Sequence, residues 1–168
     1  STAATNVAGN TSICPGGSTT LSVVGGSLGS GSAWTWYADG CGQGSVVGTG
    51  NSITVSPTAT TTYYVRAEGG CNTTACSSVT VTVNNLSTDP TTASASSTSI
   101  CSGESSVLSV SGGTLGGGSQ YFWYNGSCGG VLVGSGTSIT VNPLSTTTYY
   151  VRAEGPCNTT NCVQVTVN

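Results

Sequence analysis

The 168-residue chain has no lysine, no histidine and no methionine, and it has only two arginines and one phenylalanine. Charged residues make up 4% of it, against about 25% in an ordinary globular protein. Each absence closes off some chemistry. Without histidine there is no imidazole to act as a base or to ligate a metal. Without lysine there is no Schiff base, and a serine nucleophile would lack both of its usual activating bases. Two arginines, Arg66 and Arg152, are too few to neutralise a row of phosphates, so nucleic acid is not expected as a partner. The five acids are Asp39, Asp89, Glu68, Glu104 and Glu154. They form no clear carboxylate pair and no Asp-x-Asp-x-Asp run, which argues against a two-carboxylate glycosidase and a calcium loop. The stretch near Asp89 and Glu104 is the one place where a carbonyl-rich calcium site is worth seeking. No apolar run approaches the roughly 18 residues of a spanning helix, so membrane insertion is not expected. Residue 1 opens no charged and apolar leader, so an export signal is expected to have been removed or to lie outside this sequence. The expectation is a protein that is not an enzyme and that uses no cofactor and no catalytic metal.

Hydroxyls and cysteines dominate what is present. Serine and threonine number 27 and 29, a third of the chain, and glycine adds 26. Hydrophobic residues are 36%, with three tryptophans and seven tyrosines, enough for a core despite the low charge. Eight cysteines in a lysine-free, hydroxyl-rich chain point to an oxidised, exported protein. Sequons at Asn10, Asn72, Asn85, Asn125 and Asn158 matter only in a eukaryotic secretory path.

The chain repeats itself. Residues 12–81 recur as 99–167, and Cys14, Cys41, Cys71 and Cys76 return as Cys101, Cys128, Cys157 and Cys162. The offset is 87 residues up to Cys128 and 86 from Val133 onward, so one residue is missing from the loop after Cys128. The longest shared run is TTTYYVRAEG, at 60–69 and 146–155. This period is too long for a solenoid unit and fits a small self-contained domain. Two domains are expected, 1–84 and 91–168, with 85–90 as a linker that Pro90 stiffens.

Within each copy the period is two. Thr19–Val23, Ser52–Ser56 and Ser78–Val83 alternate apolar with hydroxyl residues, and Trp34–Tyr37 and Thr62–Ala67 are aromatic and β-branched. Turn residues separate these runs, and no stretch has helical period. This pattern predicts an all-β protein, two tandem antiparallel sandwiches of about seven strands each. In the first copy the strands are expected at 3–13, 19–24, 33–38, 45–48, 52–56, 61–68 and 76–83. The glycine-rich stretches 25–31 and 112–118 carry phosphate-loop-like spacing, but they open no helix and hold no lysine, so they read as interstrand loops. Exposed threonines such as Thr80 and Thr82 read as ordinary strand residues rather than an ice-binding array.

These motifs resemble the immunoglobulin-like sandwich. Pro15-Gly16-Gly17-Ser18 resembles the turn into strand B, Trp36-Tyr37 and Trp123-Tyr124 the strand C tryptophan, and Tyr63–Ala67 and Tyr149–Ala153 strand F. The resemblance places Tyr63 and Tyr149 in the tyrosine-corner position. The core cysteine positions are instead apolar: Val65 and Val151 on strand F, and Leu21 or Val23 and Leu108 or Val110 on strand B. The antibody-type disulfide is therefore absent. More narrowly, Ser-Ile-Cys-Pro-Gly-Gly-Ser-Thr-Thr-Leu-Ser followed by Thr-Thr-Thr-Tyr-Tyr-Val-Arg-Ala-Glu-Gly resembles the Ig-like repeats of very large cell-surface adhesins of gliding, surface-secreting bacteria. That resemblance implies an extracellular, cell-surface location and a role in adhesion or gliding. It also implies neighbouring Ig-like repeats in a longer chain, and surface polysaccharide or another cell-surface polymer as the partner class.

All eight cysteines are expected in disulfides. Four per copy allow three pairings. Strand order favours Cys71–Cys76 with Cys14–Cys41, repeated as Cys157–Cys162 with Cys101–Cys128. The runner-up joins Cys14 to Cys71 and Cys41 to Cys76, and two four-thiolate zinc sites are the metal alternative. The surface most suited to binding is the outer face of strands C and F: Tyr37, Tyr64, Arg66 and Glu68 in the first copy, Phe122, Tyr124, Tyr150, Arg152 and Glu154 in the second. An exposed aromatic pair beside Arg and Glu suits a sugar ring and its hydroxyls. The alternative is that Arg66 simply pairs with Glu68. The sequence thus points to a disulfide-stapled stalk or display spacer. A carbohydrate-binding accessory module of a secreted glycan-degrading enzyme is the other reading. An odd strand count puts the two ends of each domain at opposite poles, as a stalk needs.

Overall fold

Period-two patterning sorts the side chains between core and surface throughout the chain. A computed structural model describes all residues, 1–168, as strands and loops without a helix. Contacts divide the chain into two units, Ser1–Asn84 and Asn85–Asn168. In the first unit the strands are β1 (Asn6–Ala8), β2 (Ser12–Ile13), β3 (Thr19–Val24), β4 (Ala33–Ala38), β5 (Ser45–Thr49), β6 (Ser52–Val55), β7 (Thr61–Glu68) and β8 (Ser77–Val83). One sheet is β1-β3-β6 and the other β2-β8-β7-β4-β5. Every pairing is antiparallel except β2 with β8. In the second unit they are β9 (Thr92–Ala95), β10 (Ser106–Ser111), β11 (Gln120–Asn125), β12 (Val131–Ser135), β13 (Ser138–Val141), β14 (Thr147–Glu154) and β15 (Val163–Val167). They form sheets β9-β10-β13 and β12-β11-β14-β15. Each unit is the expected Ig-like sandwich.

Strand β7 shows how the pattern works. Tyr63, Val65 and Ala67 are buried, while Tyr64, Arg66 and Glu68 on the other face are partly exposed. β14 repeats this with Tyr149, Val151 and Ala153 buried. Trp36 and Trp123 are fully buried at the centres of the two cores. Each indole N–H donates to a glycine carbonyl, Gly50 at 2.8 Å and Gly136 at 3.0 Å, so the ring enters the core without an orphaned donor. Leu21, Val65, Leu108 and Val151 are also fully buried, and they fill the place of the missing inter-sheet disulfide. Truncating a buried tryptophan typically costs about 3–5 kcal/mol.

Two expectations need correction. The strand expected over 3–13 is broken at Gly9, where the chain leaves the first sheet as β1 and joins the second as β2. Gly9 has φ +153°, and a Cβ there would lie 2.6 Å from the Thr20 carbonyl oxygen and 2.8 Å from Leu21 Cδ2. Only glycine fits that close passage. The second correction concerns 85–90, which is not a free linker. Ser87 and Pro90 are buried. Ser87 N donates to Asn158 Oδ1, Gly116 N donates to Ser87 Oγ, and Thr88 N donates to the Thr114 carbonyl. Ser87-Thr88-Asp89-Pro90-Thr91 is the second unit's version of Ser1-Thr2-Ala3-Ala4-Thr5, whose Thr2 N likewise donates to Ser27 O.

The first unit receives and releases the chain at opposite ends of β8. Ser77 Oγ, at its start, donates to the Ala4 carbonyl near the N-terminus, and Asn84 N, just past its end, donates to Ile13 O. β8 itself is seven residues long, about 23 Å at a strand's rise.

Candidate functional site

The outer face of the larger sheet carries most of the chain's charge. Register sets Thr35 of β4 opposite Arg66 of β7, Ala33 opposite Glu68 and Tyr37 opposite Tyr64. Arg66 and Glu68, two apart on one strand, share a face. Arg66 Nε donates to Glu68 Oε1 at 2.6 Å, and the Tyr37 hydroxyl donates to the same oxygen. The guanidinium carbon lies 5.3 Å from the centroid of the Tyr37 ring, a cation–π contact. The second unit builds the same cluster. Arg152 Nε donates to Glu154 Oε1 at 2.7 Å, the Tyr124 hydroxyl donates there too, and the guanidinium stands 5.4 Å from the Tyr124 centroid. Phe122 of β11, partly buried, faces Arg152 where the first unit has Thr35.

The electrostatics follow from these contacts. The Tyr37 hydroxyl, with Arg66, holds the Glu68 carboxyl below the usual carboxylate range, and Tyr124 with Arg152 does the same for Glu154. In return the carboxylate pushes the Tyr37 hydroxyl up, with burial adding to it. For Tyr124 burial is the larger cause and Glu154 the smaller. Each cluster is a closed set of one cation, one anion and one hydroxyl.

A disulfide draws a loop over this set. Cys41, in the β4–β5 loop, is bonded to Cys76, and Cys128 is bonded to Cys162. Gly42, with φ +69°, lies so close to Arg66 that a Cβ would strike the guanidinium, and Gly129 stands the same way against Arg152. Arg152 Nη1 also lies 3.8 Å from Cys128 Sγ. Tyr37 and Tyr124, each under a guanidinium and bonded to a glutamate, are buried, at 6% and 8% exposure. The expected open aromatic face does not form: of its aromatics, only Tyr64, Tyr150 and Phe122 are even partly exposed. The arginine that was to bind sugar hydroxyls is paired with its own strand's glutamate.

The favoured disulfide pairing is also corrected. Cys71–Cys76 is not formed because Cys76 sits in a one-residue bulge. Thr73 bridges Glu68, and Thr74 N donates to Ala67 O, whereas Ser77 pairs with Val65, so Ala75 and Cys76 together face Arg66. The same bulge places Cys162. Cys71 and Cys101 are free and exposed, which corrects the expectation that all eight cysteines are bonded within this chain. Cys14 and Cys157 are disulfide-bonded. Two four-thiolate zinc sites do not assemble, and no group of three or more Cys, Asp or Glu is placed to hold a metal ion. Near the suggested calcium site, Asp89 accepts from Asn161 N at 3.0 Å and Asn161 Nδ2 at 2.8 Å, and Glu104 Oε2 accepts from Cys101 N at 3.2 Å. Every buried side-chain nitrogen and oxygen has a partner.

Sequence reasoning missed one further feature. Asn72 and Asn158 each bracket the serine that opens their unit. The Ser1 ammonium donates to Asn72 Oδ1 and Asn72 Nδ2 donates to Ser1 O, both at 3.0 Å. For Asn158 and Ser87 the two bonds are 2.9 and 2.8 Å. The repeated Cys-Asn-Thr-Thr was the available signal.

Solved structures share this fold. Murine CEACAM1b matches at 14% identity and TM-score 0.56, over 97% of this chain and 98% of that one. The fibronectin(III)-like modules of Clostridium thermocellum CbhA match at 11% identity and TM-score 0.52, over 95% of this chain and 92% of theirs. No curated protein matches the sequence. The family pattern for the "Ig-like domain CHU_C associated" type matches twice, over residues 2–84 and 88–168. The chain is a tandem pair from the family of CHU_C-associated Ig-like domains, a bacterial Ig-like type.

Proposed function

We propose that the chain is a non-catalytic, disulfide-stapled spacer from a longer bacterial surface protein, holding an adhesive or gliding element away from the cell. One observation carries this reading most directly. In both units the arginine, the glutamate and one tyrosine hydroxyl of the larger sheet's outer face are bonded to one another, next to a disulfide-pinned loop. A spacer needs such a staple, because a domain of this size has a small stability margin. The opposite-pole path along β8 suits transmission of tension, and disulfides suit an oxidising, extracellular setting. The partner class is a surface polysaccharide or similar cell-surface polymer met elsewhere on the parent protein.

Single-molecule stretching tests this. Reductant should lengthen each unit's extension by at least the roughly 120 Å held between Cys41 and Cys76, 35 residues apart. An extension profile indifferent to reductant would sink the stapled-spacer reading.

A second reading, a carbohydrate-binding accessory module, draws support from one place only. An open groove of about 550 Å³ in the second unit is lined by Thr92, Tyr150, Asn161 and Gln164 beside the Cys128–Cys162 bond. Binding on a glycan array that Tyr150→Ala abolishes would favour it, and silence on every glycan would remove it.

A further inference from the structure

The internal staple accounts for two of the four cysteines in each unit, and the other two stand at opposite poles. Cys71 and Cys157 adjoin Asn72 and Asn158, the residues that bracket the opening serines Ser1 and Ser87. Cys14 and Cys101 follow the isoleucines that hold the departing chain: Ile13 O accepts from Asn84 N at 2.9 Å, and Ile100 N donates to Asn168 O at 3.0 Å. Every unit thus has a cysteine one residue from the side chain that anchors the incoming chain. It has another one residue from the backbone that anchors the outgoing chain.

The repeat offers an internal comparison at both poles. Cys157, at an N-terminal pole, and Cys14, at a C-terminal pole, are disulfide-bonded. Their duplicates, Cys71 and Cys101, are free and exposed. At each pole, then, the same position of the fold is bonded in one unit and free in the other. Both free thiols are held by ordered surroundings. Gly69 N donates to Asn72 O at 3.2 Å, and the Cys101 backbone is bonded to Glu104 in both directions, N to Oε2 at 3.2 Å and O from N at 2.9 Å.

We propose that Cys71 and Cys101 are linking sulfurs for further copies of this repeat. Cys71 bonds the C-terminal-pole cysteine of a copy before it, and Cys101 bonds the N-terminal-pole cysteine of a copy after it. The step is thiol–disulfide exchange, with a small-molecule or protein disulfide as oxidant. The Cys101 thiolate attacks one sulfur of that disulfide and expels the other as a thiolate. The partner's thiolate then attacks the Cys101 sulfur, forming the inter-repeat bond and expelling the second thiolate. Two protein thiols lose two protons and two electrons, and the oxidant becomes two thiols. Copies joined in one chain present such thiols to each other at about millimolar effective concentration. The inference rests on the spacer reading only in needing an adjacent copy; it needs no adhesive role.

The test uses the whole chain, concentrated to about a millimolar in a mixture of reduced and oxidised glutathione. Products are separated without reductant, and cross-linked peptides are mapped by mass spectrometry. Cys71–Cys101 links between molecules should dominate over Cys71–Cys71 and Cys101–Cys101, with head-to-tail oligomers beyond the dimer. Cys101→Ser and Cys71→Ser should each abolish everything longer than a dimer while Cys41–Cys76 and Cys128–Cys162 remain intact. Persistent free thiols, or a statistical mixture of the three links, would overturn the proposal. Failure of the stretching test with Cys71–Cys101 links present would remove the spacer reading alone. Extension that responds to reductant, with no such links, would remove this inference alone.

Discussion

In the first unit the chain passes between sheets at Gly9, at positive φ and pressed against Thr20 and Leu21. In the second unit Ala95 stands opposite Leu108, as Gly9 stands opposite Leu21, and it has no positive φ. One extra residue makes the difference. Ser96 and Ser97 occupy the turn that Asn10 makes alone, and hydrogen bonds replace the tight fit. Ser106, 1% exposed, donates from Oγ to Ser97 O at 2.7 Å and accepts from Ser97 N at 3.2 Å, while Ser96 Oγ accepts from Val107 N at 2.9 Å. The departing chain is then held alike, by Thr11 and Ile13 in one unit and Thr98 and Ile100 in the other. Two copies of one fold thus meet one geometric demand by backbone permissiveness and by side-chain bonding.

The largest expected effect falls on what the units share. Removing the staple with Cys41→Ser and Cys76→Ser should cost about 3–4 kcal/mol in the chain-entropy picture, and Cys128→Ser with Cys162→Ser should cost the second unit the same. Hydrogen exchange read on peptides of each unit separates the two losses. Unequal losses would mean that the strapped loop stabilises one copy beyond its loop closure.

The next effect breaks the comparison at the sheet crossing. Gly9→Ala should destabilise the first unit by about 1–3 kcal/mol, although alanine is native at the matching position. Inserting one serine after Asn10 in that variant should recover most of the loss. Ser106→Ala should cost the second unit about 1–3 kcal/mol through the unpaired Ser97 backbone. If the insertion brings no recovery, chain length is not what separates the copies.

Acid sharpens the contrast. Glu68 in the first unit has a depressed pKa; the second unit has two such groups, Glu154 and Asp89, the latter because Asn161 donates to it from side chain and backbone. A depressed carboxylate binds protons more readily when unfolded, so its stabilisation is present above the ordinary value near 4 and disappears as pH falls through the folded value. Melting followed from pH 6 to pH 2 should show the second unit losing more than the first. Glu68→Gln should flatten the first unit's acid response, and a first unit that falls as steeply as the second would refute the assignment.

The smallest effect belongs to Asp89 and Asn161, which replace Ala3 and Ala75 of the first unit as a matched pair. Asp89→Ala should lower the second unit's stability slightly at neutral pH and leave it unchanged at pH 2, which removes that unit's excess acid sensitivity. Nearly the same result from Asn161→Ala would show that the pair acts as one unit.

Much of this was readable residue by residue. Tyr63-Tyr64-Val65-Arg66-Ala67 announces a strand with one buried face, and Trp36 and Trp123 announce the core, because alternation and bulk act locally. The Arg66–Glu68 pair was readable too, since two residues apart on a strand share a face. Tyr37 was misread as exposed, because Arg66 and Glu68 of the neighbouring strand cover its ring and its hydroxyl, and alternation along its own strand does not report that. Cys76 was misassigned because a one-residue bulge turns it toward Cys41, and hydrophobic periodicity is silent about an extra polar residue. The stretch 85–90 reads as a linker in the sequence because the match of Ser87–Pro90 to Ser1–Ala4 is short and lies outside the longer repeat.

The amino-acid order by itself determined the duplication, most of the strands, the inward face of β7 and β14 and the absence of an imidazole or a lysine amine for catalysis, since these depend on composition and neighbours along the chain. The tertiary structure alone decided which cysteines meet, that a disulfide-pinned loop lies against each arginine of the sheet face, and which thiols stand free at the poles. Those outcomes depend on how loops travel between strands, and a loop's path is set by contacts between residues remote in sequence.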